Sequence, residues 1–374
     1  MIIDGCKRTG VLAAMLVSGM MCGPYGAMAD AIVTLSGPTS NAGVIDLSTT
    51  PPAQYGGLVT IGSVTGYSLW GLLGGANASN PNSPIYGAIT TTTPAGDNAK
   101  NAILRYYVLA TSSGGSQSLI SLGEINPNFS GSATPDLVTS SGNTASLVFT
   151  KSGASGRDVT GLTSLQLLSV PALPLVTNAP PSTSVTLAGN VSHPGSYKFQ
   201  GADPQNVSPI TETVNGDTYT GPPFFALIDP SNPNILNQYV ATAGTDGYEV
   251  VLSLAELDPA LGASTATNQV DLVPYADTGG DFPGAGLART ILPGDTAFAH
   301  GRWESNLALI EVAAVVPEPT TIALLTSGLI GMMVALRRRV TLVGRQQTAK
   351  RRWPSQVEGR SRKRHRTGMP MRPL

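Results

Sequence analysis

The chain repeats itself. Residues 103–127, "ILRYYVLATSSGGSQSLISLGEINP", and residues 235–259, "ILNQYVATAGTDGYEVVLSLAELDP", align without a gap. Identities fall at Ile103/Ile235, Leu104/Leu236, Tyr107/Tyr239, Val108/Val240, Gly115/Gly247, Ser121/Ser253, Leu122/Leu254, Glu124/Glu256 and Pro127/Pro259. Upstream, "VTLSG" (33–37) pairs with "VTLAG" (185–189), and "TGYSLWGLL" (65–73) with "TGPPFFALI" (220–228). Downstream, "GRDVTGLTSLQLLSV" is a looser partner of "GRWESNLALIEV", which sets Arg157 opposite Arg302. Elements that recur in one order at this length are the mark of a duplicated structural unit. The expected division is residues 30–170 and 184–313, joined by the proline-rich linker 171–183, "PALPLVTNAPPST".

Each copy is expected to open with a strand, followed by a turn-rich stretch and a short helix at "SLWGLL" or "FFALI". Then come a strand, a glycine-containing hairpin and a second strand. Short Val/Leu/Ile/Tyr runs between turn signals argue for a packed, strand-rich body, despite 43 glycines and 29 prolines. "SLAE" at Ser253–Glu256 has capping-box spacing, and Pro259 limits any helix there to one turn. The fold class expected is mainly β with short helices, α+β at the limit.

Charge is segregated. Of 22 basic residues, 13 lie from Arg337 onward, whereas residues 30–316 hold seven basic against 20 acidic ones. Such an acidic body argues against nucleic-acid binding, because nothing in it neutralises phosphates. Both cysteines, Cys6 and Cys22, fall in an N-terminal segment with Lys7 and Arg8, an apolar run and "AMA" at Ala27–Ala29. These are the parts of a secretory signal peptide over residues 1–29, with cleavage after Ala29 and Ala27 as the other small residue of the site. A mature chain without cysteine has no disulfide, thiolate nucleophile or thiolate metal ligand.

The second copy resembles the molybdopterin-binding domain of sulfite oxidase-type oxidoreductases. The resemblance rests on "VTLAGNVSHPGSYKF" (185–199), "YTGPPFFALI" (219–228), "YVATAGTDGYEVVLSLAELDP" (239–259) and "LARTILPGDTAFAHGRWESNLALIEV" (287–312). It implies two tandem copies of that fold, the first more weakly. It also implies a cofactor-facing position at Arg302, where the family can place a basic group against the cofactor phosphate. The family holds molybdenum through a cysteine from the segment before the Thr-Gly that here is Thr220-Gly221. "QNVSPITETVNGDTY" has no cysteine, and hydroxyls do not replace a soft thiolate for such a metal. The expectation is therefore no cofactor, and for Arg302 the other reading is an ion pair beside Trp303.

Other chemistry is thin, and no catalytic or metal-ligating residue is assigned. His193 and His300 lie far apart, without a second ligand at metal spacing. Ser253 has Glu256 nearby but no histidine, which favours capping over a nucleophile. Asp246, Asp277 and Asp281 flank glycines and suit calcium at a cell surface, yet none has calcium-loop spacing, so turn formation is the default.

Residues 315–339, "VVPEPTTIALLTSGLIGMMVALRRR", carry a proline-glutamate-proline triplet, an apolar run and three arginines. The run Thr321–Leu336 would span about 24 Å as a helix, a little short for a bilayer core of about 30 Å. Arginines directly after it mark a cytoplasmic membrane edge, so a C-terminal transmembrane helix acting as a transient anchor is expected. The whole pattern resembles the PEP-CTERM sorting signal. That likeness implies processing by the membrane enzyme exosortase near Pro317, Glu318 and Pro319, with Arg337, Arg338 and Arg339 as the basic stop. It also implies delivery to the cell surface or extracellular matrix. Residues 340–374 read as a basic disordered tail.

The leading expectation is thus an exported, non-catalytic surface or matrix protein, its partners being signal peptidase, exosortase, the membrane and, through an acidic Gly/Thr-rich exterior, exopolysaccharide or cations. The alternatives are an exported oxidoreductase-like protein binding a molybdopterin or other small ligand in residues 185–312, and a small-ligand module between the copies.

Overall fold

A computed structural model describes residues 30–49, 55–74, 102–127, 129, 135–151, 153–171, 173, 184–198, 207–262, 269–279, 288–295 and 301–315. The first half contributes β1 (Ile32–Ser36), β2 (Gly43–Asp46), β3 (Leu58–Ile61), β4 (Val64–Ser68) and β5 (Tyr106–Ser112). It continues with β6 (Gln117–Ser121), β7 (Leu137–Ser141), β8 (Thr144–Val148), β9 (Val159–Thr160) and β10 (Leu162–Ser169). The second half contributes β11 (Val185–Gly189), β12 (Gly195–Tyr197), β13 (Ile210–Val214) and β14 (Asp217–Gly221). It ends with β15 (Gln238–Gly244), β16 (Glu249–Ser253), β17 (Ala276–Asp277) and β18 (Leu307–Ala314). Helices are single turns: α1 (Leu69–Leu72), α2 (Leu122–Ile125), α3 (Phe224–Ile228) and α4 (Leu254–Leu257).

The strands form four sheets in a four-bladed, propeller-like arrangement. Two are five-stranded and share one order, β2-β1-β10-β5-β6 and β12-β11-β18-β15-β16. In each, the first and last long strands lie side by side in parallel and every other pairing is antiparallel. The register matches as well: Tyr107 faces Ser121 and Tyr239 faces Ser253, while irregular pairs close at Leu162/Ser112 and Leu307/Gly244. The other two sheets differ, β3-β4-β7-β8-β9 against the shorter β13-β14-β17.

Local chemistry explains these elements. From Ser164 to Leu168, β10 alternates half-buried and buried positions with the two-residue period of a strand. β16 is buried at every residue, as befits "EVVLS" enclosed on both faces. Gly37 and Gly189 close the matching "VTLxG" strands at φ 94° and 78°. A Cβ at either would collide with the carbonyl of Leu167 or Val312, so both sites are restricted to glycine twice over. Ser121 and Ser253 cap α2 and α4, the latter in a full capping box with Glu256.

One large apolar core runs through both halves, with Leu35, Leu72, Val108 and Leu165 from the first and Leu187, Phe224, Leu254 and Ile310 from the second. A second cluster forms where the β5–β6 and β15–β16 hairpins meet. There Tyr107, Leu109 and Leu119 pack with Ala241, Val251 and Val315. Tyr107 and Tyr239 stack across it, ring centroids 5.6 Å apart.

This architecture corrects the sequence-based expectation of a sulfite-oxidase-like molybdopterin-binding fold. The residues behind that resemblance are turn glycines, a helix cap and a Pro-Gly-Asp turn. Such local devices end elements; they do not dictate how sheets assemble. The expected C-terminal transmembrane helix, Thr321–Leu336, falls on residues outside those described. Among the described residues no helix is long and apolar enough to cross a membrane.

Candidate functional site: a buried charge lattice between the halves

The most elaborate polar constellation lies where α2 and α4 approach each other, and it is reciprocal. In the first half, Arg157 binds both oxygens of Glu124, at 2.8 Å to Oε2, and reaches across to Ser253 Oγ at 3.1 Å. In the second, Arg302 binds Glu256 Oε2 at 2.8 Å and reaches across to Ser121 Oγ at 3.3 Å. Ser121 Oγ donates to Glu256 Oε1 at 2.8 Å. Each cap serine therefore serves its own helix and the other half's ion pair. A second cross-link, Arg105 Nε to Glu249 Oε2 at 2.8 Å, joins the turn that leads into β5 to β16.

The halves are not identical. Arg302 has an additional bidentate partner, Asp295, at 2.9 and 2.7 Å. Its stem passes over Gly123, where a Cβ would press on its Cδ; the matching residue of the second half is Ala255. Arg157 instead lies over the Phe149 ring, 4.2 Å from its centroid.

Burial and pairing set the electrostatics. Burial alone would raise Glu124, but the Arg157 guanidinium outweighs it and holds the carboxyl below its ordinary value. Glu256 is raised, because burial outweighs Arg302 and the Glu124 charge adds to it. Arg302 is held well above its ordinary value, since Asp295 and Glu256 more than offset its desolvation. Burial pushes Asp271 up to about 8, and burial with the Glu124 charge pushes Asp136 up to about 7.

Beside this lattice lies a polar cavity of about 20 Å³, lined by Lys151, Glu256, Asp271, Asp295 and Arg302. That holds one water, against the several hundred Å³ of a small-molecule site. Shifted carboxyls in a cleft often mark active sites, but ion-pair networks shift them too. Here each serine hydroxyl is engaged by carboxylate and guanidinium, with no imidazole among its bonding partners in the described residues. The lattice ties the two halves together around a space for one water.

Arg302, the expected cofactor-facing residue, has its guanidinium committed to Asp295, Glu256 and Ser121, next to Trp303. His193 is exposed, 3.8 Å from Asp229. Asp246 accepts from the Tyr248 N–H, as a turn aspartate does. His300, Asp281, Ala27, Ala29, Pro317, Glu318, Pro319 and Arg337–Arg339 lie outside the described residues. Sequence reasoning missed Asp295, Asp271, Lys151 and the reach of Ser121 across the junction. The signal was available for the last, because Ser121, Glu124 and Arg157 are polar residues held in common with the second half.

No curated protein and no solved structure matches the chain, so neither comparison supports the likeness of its body to sulfite oxidase. Residues 315–339 match the PEP-CTERM protein-sorting motif, which marks the chain as an exported protein targeted to exosortase.

Proposed function

We propose that this is a non-catalytic protein of the cell surface or extracellular matrix, released to that destination by exosortase after signal peptidase has removed residues 1–29. The sorting motif at 315–339 carries the reading. In this reading the body is one β unit present twice, over residues 30–170 and 184–313, and the shared strand order supports that division. Non-catalytic use is supported by the junction, whose charged groups are spent on one another around a space for one water. An acidic exterior suits a matrix of exopolysaccharide and cations.

Changing both Pro317 and Pro319 to alanine tests the sorting part. In a host that contains exosortase, pulse-labelled variant should persist as a longer precursor in the cell fraction while wild type shortens and leaves it. A variant that matures and leaves like wild type overturns the assignment.

A further inference from the structure

Glu304 is a buried carboxyl that the fold does not use. It is 0% exposed, and neither carboxyl oxygen has a hydrogen-bond partner among the described residues. Its backbone is pinned, donating to Thr290 Oγ1 and accepting the Thr290 N–H at 2.9 Å. Its side chain is directed at Gly244. A Cβ added there would strike Glu304 Oε1 and lie 2.8 Å from both Asp246 Oδ1 and the Ser305 carbonyl oxygen. Three oxygens thus converge beside one glycine, and exposed Asp246 and Ser305 open the cluster to solvent. Burial, then the charges of Asp246 and Glu249, drive Glu304 well above its ordinary value. Glu249 is itself committed to Arg105 and to the Leu173 N–H.

The first half supplies an internal control. The Leu162/Ser112 pair matches Leu307/Gly244. The Ser113 N–H to Gly161 carbonyl bond, 2.8 Å, matches Thr245 to Asn306, 2.9 Å, and Gly161 and Asn306 are both left-handed. Two residues before each lie Val159, 3% exposed, and Glu304. The position of Asp246 is taken by Gly114, and that of Glu249 by Gln117. The architecture is therefore satisfied by a buried valine where the second half buries an unpartnered acid, a choice that costs stability unless something binds it.

We propose that Glu304, Asp246 and the Ser305 carbonyl form a binding site for a divalent cation of the calcium type, reached from solvent at the β15–β16 turn. An all-oxygen donor set containing two carboxylates is what a hard cation takes, with water completing its shell. A site of so few protein ligands belongs to the weak class, with Kd of about 10⁻⁴–10⁻³ M.

The test is calcium titration of the full-length protein at pH 7.5, by calorimetry and by thermal unfolding. Saturating calcium should raise the wild-type Tm by roughly 2–4 °C. Glu304→Val, the residue of the other half, should melt higher than wild type without calcium and show no calcium shift. Asp246→Asn, at an exposed position that keeps its turn bond and removes one charge from beside Glu304, should leave the calcium-free Tm no lower than wild type and weaken binding about tenfold or more. No heat and no Tm shift for wild type at about 10 mM calcium, well above that Kd range, overturns the site. So does a wild-type Tm that rises with acidification but ignores calcium, which would mean that Glu304 simply holds a proton. Unchanged affinity in Asp246→Asn overturns it as well.

Discussion

Replacing Arg302 by methionine should nearly unfold the protein at neutral pH, and acid should partly repair it. The guanidinium is 6% exposed and is the cation for two buried carboxylates, Asp295 and Glu256, as well as a donor to Ser121. Removing one partner of a buried pair costs about 3–5 kcal/mol, because a charge is left without compensation. Arg302 leaves two such charges, so the expected loss is at the upper end, about 5 kcal/mol, out of a total of roughly 5–15. Arg157→Met leaves only Glu124 and should cost about 3 kcal/mol. The pH dependence follows from the same charges. Burial and the Glu124 charge already raise Glu256 in the folded state above its unfolded value, and removing Arg302 removes what opposes them. Stability is then fully present below the unfolded carboxylate range, near pH 4, and is lost as pH rises through the raised folded value. Urea unfolding at pH 4.5 and 7.5 reads this out. Adding Glu256→Gln and Asp295→Asn to the methionine variant should restore most of the loss at pH 7.5. A methionine variant within about 1 kcal/mol of wild type at pH 7.5, below the buried-pair cost, would refute the reasoning. An equal loss at both pH values would refute it too.

Other outcomes follow from single residues. Asp271, raised to about 8, makes the folded state lose stability from about pH 4 to pH 8. Asp271→Asn should therefore match wild type near pH 4 and exceed it near pH 8, by up to about 5 kcal/mol, which denaturant curves at the two pH values would show. Gly189→Ala meets both a left-handed backbone and the Val312 carbonyl and should cost more than 1–3 kcal/mol of backbone strain alone. Gly216→Ala, left-handed but with open space, should cost no more than that strain, and equal melting temperatures for the two variants would contradict the contact. Protein purified from a host able to make molybdenum cofactor should contain neither stoichiometric molybdenum by elemental analysis nor pterin fluorescence after oxidation.

The sequence carried more of the junction than its local motifs suggested. Ser253 and Glu256 have the spacing of a cap, and they are one. The repeat had a second meaning, however. Ser121, Glu124 and Arg157 recur as Ser253, Glu256 and Arg302 because each set completes the other across the pseudo-symmetric contact. Spacing along one chain cannot show a bond between two copies. The sheet order was also implicit in the repeat, since matched strands at matched intervals pair alike. Among the described residues the β7–β8–β9 pairings recur in the second half as isolated bridges, Pro223/Leu272, Leu272/Ile291 and Arg289/Ser305, and such short pairings left little shared sequence pattern to read. The supposed molybdopterin fold failed for the opposite reason, because turn and cap residues recur wherever a strand must end. Glu304 was illegible. Its neighbours Gly244 and Asp246 lie on another strand's turn, and only the fold brings them within reach.

The central claim is that this is an exported protein whose C-terminal segment is removed at its sorting motif. Intact-mass analysis of the protein recovered outside an exosortase-containing host tests it most directly. The account predicts a chain that begins after Ala29 and ends near Pro317–Pro319, and that is missing from the same fraction of a host lacking exosortase. A product that still carries residues 340–374, or one released equally without exosortase, would contradict it.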